Sequence, residues 1–403
     1  MTSTTQSAAT NHQSTDQTAD ALGAARSLVA LIEAEAEAAE LAGTMTEPVV
    51  DALHDAGLFA LMVPRELGGT EADMRTCLEV FELLAWADGS TGWSHMANAT
   101  AAAMAATFTG EEAVSEIFAD ARSGGRMPVI AGMFGPVGSA EAVADGYVAT
   151  GRYGFASGSG HATWISAGTL VVRDGEFVAA KDGLPEMRVV FVPRDHVEFL
   201  GNWDVIGLQG TGSYDYALAD EHVDAAFTFP LVEAVAHRGG PVYGFGVLGI
   251  TSAGHAGFAL GVAKRALDEV VRIVAGKARL GAAPVRDQQL FQYELGYQDA
   301  ALRSVRALVF EAFAAVEAEL VAGREPGEVA RQRLRQTTTY ATRIAAEVVR
   351  FAYTWAGTSA LREPSVLGRC FRDMHAATQH VFVDNNTFTD AGILRLNPPA
   401  PPS

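Results

Sequence analysis

The sequence predicts an α+β protein in which two helical segments enclose a central segment of strands. From about residue 23 to 125 apolar residues recur at helical spacing, and from 233 to 396 long helical patterns return. Between 126 and 232 short β-branched runs are separated by glycines. Residues 1–22 are predicted to form a disordered polar tail, and the proline-rich residues 397–403 a loose one. This order of helices, strands and helices indicates an α+β architecture.

Each segment contains runs that justify its assignment. In the first, residues 28–32 place Leu, Val, Leu and Ile on one helical face. In the second, residues 169–172 and 188–192 are runs of Val, Leu and Phe of strand length. In the third, residues 291–320 and 329–356 are long helical patterns, with proline interrupting between them. We therefore expect a sheet domain between two helical domains.

Composition limits the classes of function. The 403 residues suit two or three packed domains, and 49% hydrophobic with 19% charged residues is typical of a globular protein. With 29 basic against 48 acidic residues the formal net charge is −19, which disfavours nucleic-acid binding. We predict no membrane span, because no run of about 18 apolar residues stands out.

The cysteines and the N-terminus predict a cytoplasmic protein. Cys77 and Cys370 are too far apart in sequence, and too few, to indicate a disulfide framework or a zinc site, so no metal is expected. The first 22 residues have no basic stretch followed by an apolar one, so they do not resemble an export signal.

One nucleotide-binding pattern is set aside. Gly-Phe-Gly-Val-Leu-Gly at 244–249 fits G-x-G-x-x-G, the dinucleotide fingerprint. A true fingerprint follows a strand and has an acidic residue about 20 positions later on a second strand, whereas here the helical pattern continues past Asp268. We interpret these glycines as positions of close helix packing, so the chain is not expected to bind a nicotinamide cofactor itself.

Several motifs together resemble the acyl-CoA dehydrogenase superfamily. They are Val-Pro-Arg-Glu-Leu-Gly-Gly at 63–69, Asp-Gly-Ser-Thr-Gly-Trp at 88–93, Phe-Ala-Ser-Gly at 155–158, Pro-Ser-Val-Leu-Gly-Arg-Cys-Phe at 364–371, and Arg-Asp-Met-His-Ala-Ala-Thr-Gln-His at 372–380. The resemblance implies an N-terminal helical domain, a central β-barrel-like domain and a C-terminal four-helix bundle. It also implies a homotetramer with flavin sites completed across subunits.

The catalytic base of a dehydrogenase is missing from both places where the superfamily carries it. Thioester oxidation needs a positioned glutamate to take the α-proton, and those positions hold Val381 and a residue near Thr251. His380 stands beside Val381, in an arrangement similar to the flavin-dependent monooxygenase branch. The resemblance implies that His380 and Ser157 hydrogen-bond a C4a-hydroperoxide, which forms when reduced flavin adds dioxygen.

The resemblance also implies a flavin site. Ser157 takes the place of a hydroxyl residue that reaches N5 of the isoalloxazine ring, and the backbone at Phe134 flanks that ring. Lys277 and Gln289 stand where relatives contact the flavin phosphate or adenylate, and Gly357 allows the cofactor to approach the backbone closely. For Ser157 the alternative is a turn serine, and for Lys277 a solvated helix end.

Two further histidines, His95 and His161, are candidates for substrate contacts, although an ordinary helix or loop histidine is the more common case.

The sequence therefore predicts a flavin-dependent monooxygenase that uses FADH2 or FMNH2 and O2 to hydroxylate a small cyclic or aromatic molecule. A separate NAD(P)H-flavin reductase would supply the reduced flavin. Two alternatives stay open at this point: an acyl-CoA dehydrogenase with tightly bound FAD, and a non-catalytic flavin-binding homologue.

Overall fold

The first part of the chain is helical. The computed structural model describes residues 4–399 except 182 and 279–282, with side chains described from residue 21 onward. The N-terminal helices are α1 (Thr4–Ala42), α2 (Glu47–Asp55), α3 (Met74–Ala87), α4 (Gly89–Phe108), α5 (Glu111–Ile117) and α6 (Ala119–Arg122). Residues 4–22 are compatible with helix α1 because they contain neither proline nor glycine, the two strongest helix breakers. The predicted disordered tail is thus helical from Thr4; residues 1–3 lie outside the described part.

The middle of the chain is one eight-stranded sheet. Its strands are β1 (Ile130–Ala142), β2 (Gly146–Ala156), β3 (Trp164–Arg173), β4 (Glu176–Phe177), β5 (Met187–Pro193), β6 (Glu198–Gly201), β7 (Tyr214–Asp224) and β8 (Thr228–Pro230). The order is β6-β7-β2-β1-β3-β5-β8, with β4 paired to β3. Strands β1 and β3 are parallel and the other pairs are antiparallel.

The last part is a helical bundle of α7 (Gly246–Ala275), α8 (Gln289–Val321), α9 (Glu328–Ala356), α10 (Val366–Ala377) and α11 (Asn386–Leu396). Helix α7 packs against α9 and α10 of the bundle and also against α3 and α4 of the N-terminal part. One hydrophobic core therefore joins the two helical segments. The predicted fold class is confirmed.

Helix α7 corrects one prediction and explains the glycine motif. The segment Pro241–Ala275 is long and apolar enough to cross a membrane, so the prediction that no such run exists is wrong; 83% of its apolar window is buried inside the protein, as in a core helix. A Cβ on Gly244 would lie 2.4 Å from Leu320 Cδ2, and one on Gly249 2.9 Å from Phe245 Cβ. The glycines therefore serve close packing, as predicted.

A buried carboxyl cluster connects the helical segments to the sheet segment. Asp373 on α10 accepts a 2.6 Å hydrogen bond from the backbone N–H of Leu208. Burial, followed by the nearby charge of Asp88, raises the pKa of Asp373 to about 8. Arg369 lies between the carboxylates, with Nε 3.6 Å from Asp88 and an Nη 3.2 Å from Glu40.

Arg372 does not pair with the neighbouring Asp373. It binds Glu40 at 2.6 Å, and it also contacts Glu363. The two side chains leave α10 in different directions, because adjacent positions on a helix are about 100° apart. Arg372 and Asp373 thus connect α10 to two different parts of the protein.

Candidate functional site

His380 lies just after the end of α10. With His255, Trp93 and Ser157 it forms the candidate cleft, which is defined by their ring contacts and by the hydrogen bond between Trp93 and Ser157. Helix α10 stops at Ala377, so His380 lies beyond the helical face that carries Arg372 and Ala376. Instead, His380 precedes the short turn Val381–Val383, where its Nδ1 accepts a 3.2 Å hydrogen bond from the backbone N–H of Phe382. Because Nδ1 is the acceptor, the proton of the neutral ring is on Nε2.

A second histidine, His255, lies beside His380. The two ring centroids are 4.5 Å apart, and His255 stacks on Phe382 at 5.2 Å with the ring planes 7° apart. His255 belongs to the buried helix α7 and is only 4% exposed, whereas His380 belongs to an exposed turn with its ring packed against Trp93 and His255. The site therefore contains two imidazoles, of which the sequence reasoning found one.

Both imidazoles are neutral at pH 7. Desolvation lowers the pKa of His380 to about 4, and desolvation followed by the proximity of His380 lowers the pKa of His255 well below its ordinary value. In the described part of the chain, no carboxylate contributes to either shift. Among these residues, no acid thus takes the place of the missing dehydrogenase base beside either imidazole.

Trp93 connects the histidines to Ser157. Its ring makes edge contacts with His255 at 5.1 Å, with His380 at 5.7 Å and with Phe258 at 4.9 Å, centroid to centroid. Its indole N–H donates a 3.0 Å hydrogen bond to the Ser157 hydroxyl. Trp93 thus forms the wall between the two predicted catalytic residues, His380 and Ser157.

The Ser157 hydroxyl is oriented by its neighbours. It accepts the hydrogen bond from Trp93 and another, 2.9 Å long, from the Ser213 hydroxyl. A serine oxygen has two lone pairs, so both are occupied and its own proton remains available as a donor. A hydroxyl prepared in this way can donate to a nitrogen or oxygen of a flavin.

The turn that carries Ser157 is rigid. Asn98 donates to the Ser157 carbonyl at 3.2 Å, and a Cβ on Gly158, whose φ is +80°, would lie 2.3 Å from the Asn98 amide oxygen. Only glycine fits there. Asn98 is in turn held by His161, whose Nε2 lies 3.1 Å from the same oxygen.

His95 and His161 support the site from behind. His95 has no exposed surface and donates from Nε2 to the Leu58 carbonyl at 2.9 Å. It lies two residues after Trp93 on α4, which turns it about 200° away from the cleft. Burial lowers the pKa of His95 to about 4 and that of His161 to about 3. The structure buries His95 and bonds His161 to Asn98, and the substrate contacts of both residues stay predictions.

Lys277 and Gly357, two predicted flavin contacts, are neighbours. The Lys277 ammonium donates to the Trp355 carbonyl at 3.2 Å and to the Ala356 carbonyl at the end of α9. A Cβ on Gly357, whose φ is +54°, would come within 3.0 Å of that ammonium. A positive charge at a helix C-terminus is favourable in itself. A role in phosphate binding stays a prediction.

The other predicted flavin contacts lie apart from each other. The Phe134 ring packs edge-on against Phe191 at 6.3 Å and Phe229 at 6.0 Å, inside the sheet domain. Gln289 begins α8 and is exposed. Both contacts stay predictions, because the structure brings neither residue to Ser157.

The residues around Ser157 suit a reduced flavin. Beside the turn, Phe155 at φ 63° presents a 66% exposed ring with Trp203 edge-on at 6.2 Å. This aromatic surface, a directed hydroxyl and neutral imidazoles match a flat, largely apolar ring with polar edges. The fold and the site together define a flavin-dependent oxidoreductase.

Comparisons with known proteins agree with this class. Family models described as "Acyl-CoA dehydrogenase, N-terminal domain" and "Acyl-CoA dehydrogenase, C-terminal domain" match residues 16–124 and 253–385. The indole-3-acetate monooxygenase of Pseudomonas putida is 31% identical over 87% of each chain. The flavin-dependent monooxygenase oxygenase subunit HsaA of Mycobacterium tuberculosis is 27% identical over 90% of this chain and 91% of its own.

A solved structure has the same fold. XiaF from Streptomyces sp., in complex with FADH2 and glycerol, superposes with a TM-score of 0.84 at 20% identity, covering 98% of this chain and 99% of XiaF. The chain belongs to the acyl-CoA dehydrogenase family and, within it, to the flavin-dependent monooxygenases. The predicted resemblance and enzyme class are confirmed.

Proposed function

We propose that this protein is the oxygenase component of a two-component system that hydroxylates a small aromatic molecule. A separate NAD(P)H-flavin reductase supplies reduced FAD or FMN, and O2 is the co-substrate. The observation that carries the proposal is the neutral pair of His255 and His380, 4.5 Å apart in a cleft with Ser157 and without a carboxylate base among the described residues. Relatives named for indole-3-acetate and for an oxygenase subunit support it.

Each residue of the site has a chemical task. A bound reduced flavin supplies the reactivity toward oxygen. The proton on Nε2 of His380 and the free proton of Ser157 can donate to polar atoms at the ring edge. Trp93, Phe258 and Phe382 exclude water from that edge, which favours oxygen transfer over loss of hydrogen peroxide.

A rapid-mixing experiment tests the proposal. The protein is loaded anaerobically with FADH2 or FMNH2 and mixed with oxygenated buffer. We expect a transient flavin–oxygen absorbance, and 18O from O2 in the product when an aromatic substrate is present. Bleaching of bound oxidised FAD by an acyl-CoA, without the transient, would indicate a dehydrogenase. Neither signal would indicate a non-catalytic protein.

We also propose a homotetramer in the cytoplasm. A groove of about 770 Å3 between α8 and α9, lined in part by Leu308, Val316 and Tyr340, would be covered by another subunit. Tyr293 and Tyr297, nearer the start of α8, are 71% and 63% exposed and offer further aromatic surface to another subunit. Light scattering of the purified protein tests the assembly, and cell fractionation tests the location.

A further inference from the structure

Arg335 on α9 is a guanidinium without a counter-ion. Its Nε is buried without a hydrogen-bond partner, and it pairs with no carboxylate in the part of the chain that the structure describes. Arg331, one turn earlier on α9, does have partners: it donates to the Gly244 carbonyl at 3.1 Å and pairs with Glu325 at 2.9 Å.

The position of Arg335 connects it to the cleft. Its Cζ lies 5.4 Å from the ring centroid of Phe382, the ring that stacks on His255. Phe382 also donates its backbone N–H to His380. A guanidinium that contacts an aromatic face keeps its N–H groups free for a ligand. Phe382 therefore contacts Arg335 as well as both imidazoles.

The chemistry of this arrangement selects one ligand class. A partly buried guanidinium with unmet donors costs free energy until an anion satisfies it, and its fork matches a carboxylate. The cleft itself is aromatic and its two imidazoles are uncharged. A ligand that suits both the guanidinium and the aromatic residues has an aromatic ring and a carboxylate joined to it by a linker of a few atoms.

We propose that Arg335 binds the carboxylate of an aromatic acid whose ring occupies the cleft beside His255, His380 and Trp93. This rests on the proposed function, because it names the substrate class of the same cleft. Specificity for the acid comes from Arg335, while the ring is held by the aromatic wall.

Calorimetry on the flavin-free protein tests this without any turnover. Indole-3-acetate is the acidic probe, and indole-3-acetamide is its neutral counterpart of nearly equal shape. We expect the wild-type protein to prefer the acid, and Arg335→Gln to weaken acid binding about 10- to 100-fold with the amide unchanged. Arg335→Lys keeps the charge but not the fork, so it should retain part of the preference.

Arg343→Gln is the matched control, because Arg343 lies on the same helix, is exposed and pairs with Glu347 at 3.7 Å. It should bind both probes as the wild-type protein does. Melting temperatures of all variants show whether each is folded.

Four results would overturn the inference: no binding of the acid by the wild-type protein, acid binding unaffected by Arg335→Gln, equal weakening of acid and amide, or weakened FAD and FMN binding in place of acid binding. The last would mean that Arg335 meets a flavin phosphate. If the protein transferred oxygen to neutral aromatic molecules and not to aromatic acids, the proposed function would be supported and the Arg335 site would be contradicted. If acid binding depended on Arg335 but no flavin–oxygen transient formed, the Arg335 site would be supported and the proposed monooxygenase function would be contradicted.

Discussion

The imidazole of His255 lies 4.5 Å from that of His380, although the two residues are 125 positions apart in the sequence. One ring is buried on a core helix and the other lies just after the end of α10. Both groups of this pair are uncharged at pH 7, because burial of the rings lowers their pKa values. The predictions below test what each part of this site contributes.

His380→Ala should shorten the lifetime of the flavin–oxygen transient by about 10- to 100-fold, because one hydrogen bond to a polarised oxygen is lost. Stopped-flow absorbance measures it. His375→Ala is the control from the same motif: its Nδ1 is engaged by the Phe371 carbonyl at 2.8 Å, so the transient should be unchanged. An unaltered decay in His380→Ala would remove the role assigned to that residue.

His255→Phe separates chemistry from packing at the second imidazole. Phenylalanine keeps a ring against Phe382 but has no nitrogen, so we expect a melting temperature close to that of the wild-type protein together with less product per flavin consumed. Product and hydrogen peroxide are quantified in single-turnover reactions. If coupling stays at the wild-type level, His255 only fills space.

Ser157→Ala should destabilise the protein by about 1–3 kcal/mol, because the indole N–H of Trp93 is left buried without an acceptor. Urea unfolding measures the loss. Ser213→Ala keeps the bond between Trp93 and Ser157, so it should cost less. Equal losses for the two variants would contradict the proposed orientation of the Ser157 hydroxyl.

Asp373→Asn should change how stability depends on pH. In the unfolded chain this carboxyl loses its proton near 3.8, whereas in the folded protein its pKa is raised to about 8. The unfolded state therefore binds fewer protons between these values, and the free energy of unfolding falls as the pH rises from about 4 to 8. Groups facing Asp373 include Asp88, Glu40 and Arg369.

Melting temperatures from pH 5 to 8 measure this effect. The amide that replaces the carboxyl is uncharged throughout, so Asp373→Asn should lose part of the decline seen in the wild-type protein. Asp204→Asn, at an exposed position, is the control and should leave the decline as it is. Parallel curves for the wild-type protein and Asp373→Asn would show that this carboxyl is already ionised in the folded state.

The pH dependence of the flavin–oxygen step should follow from the lowered pKa of His380. With that pKa near 4, the ring stays neutral from pH 5.5 to 8, so the decay rate of the transient should not titrate in this range. Stopped-flow measurements across the range check this. An inflection near 6.5 that disappears in His380→Ala would mean that the ring is freely solvated.

The sequence by itself determined the architecture and one end of the site. Periodicity separated helices from strands. An amphipathic helix buries every third or fourth residue, whereas a half-buried strand buries every second residue. The motif ending in His380 and the serine in Phe-Ala-Ser-Gly were local patterns, so they could be found without coordinates. The signal for His255 was also present, as a lone histidine between glycine and alanine in an apolar helix, but nothing in the sequence pointed from it to residue 380.

Tertiary structure decided which of these residues meet. The packing of α4 against α7 brings Trp93 to His255, and the end of α10 at Ala377 lets His380 turn toward them. The same packing turned His95 into the core and left Arg335 beside Phe382. Contacts of this kind depend on how helices far apart in the chain cross, and crossing geometry is set by side-chain interlocking over whole surfaces, which no local pattern records.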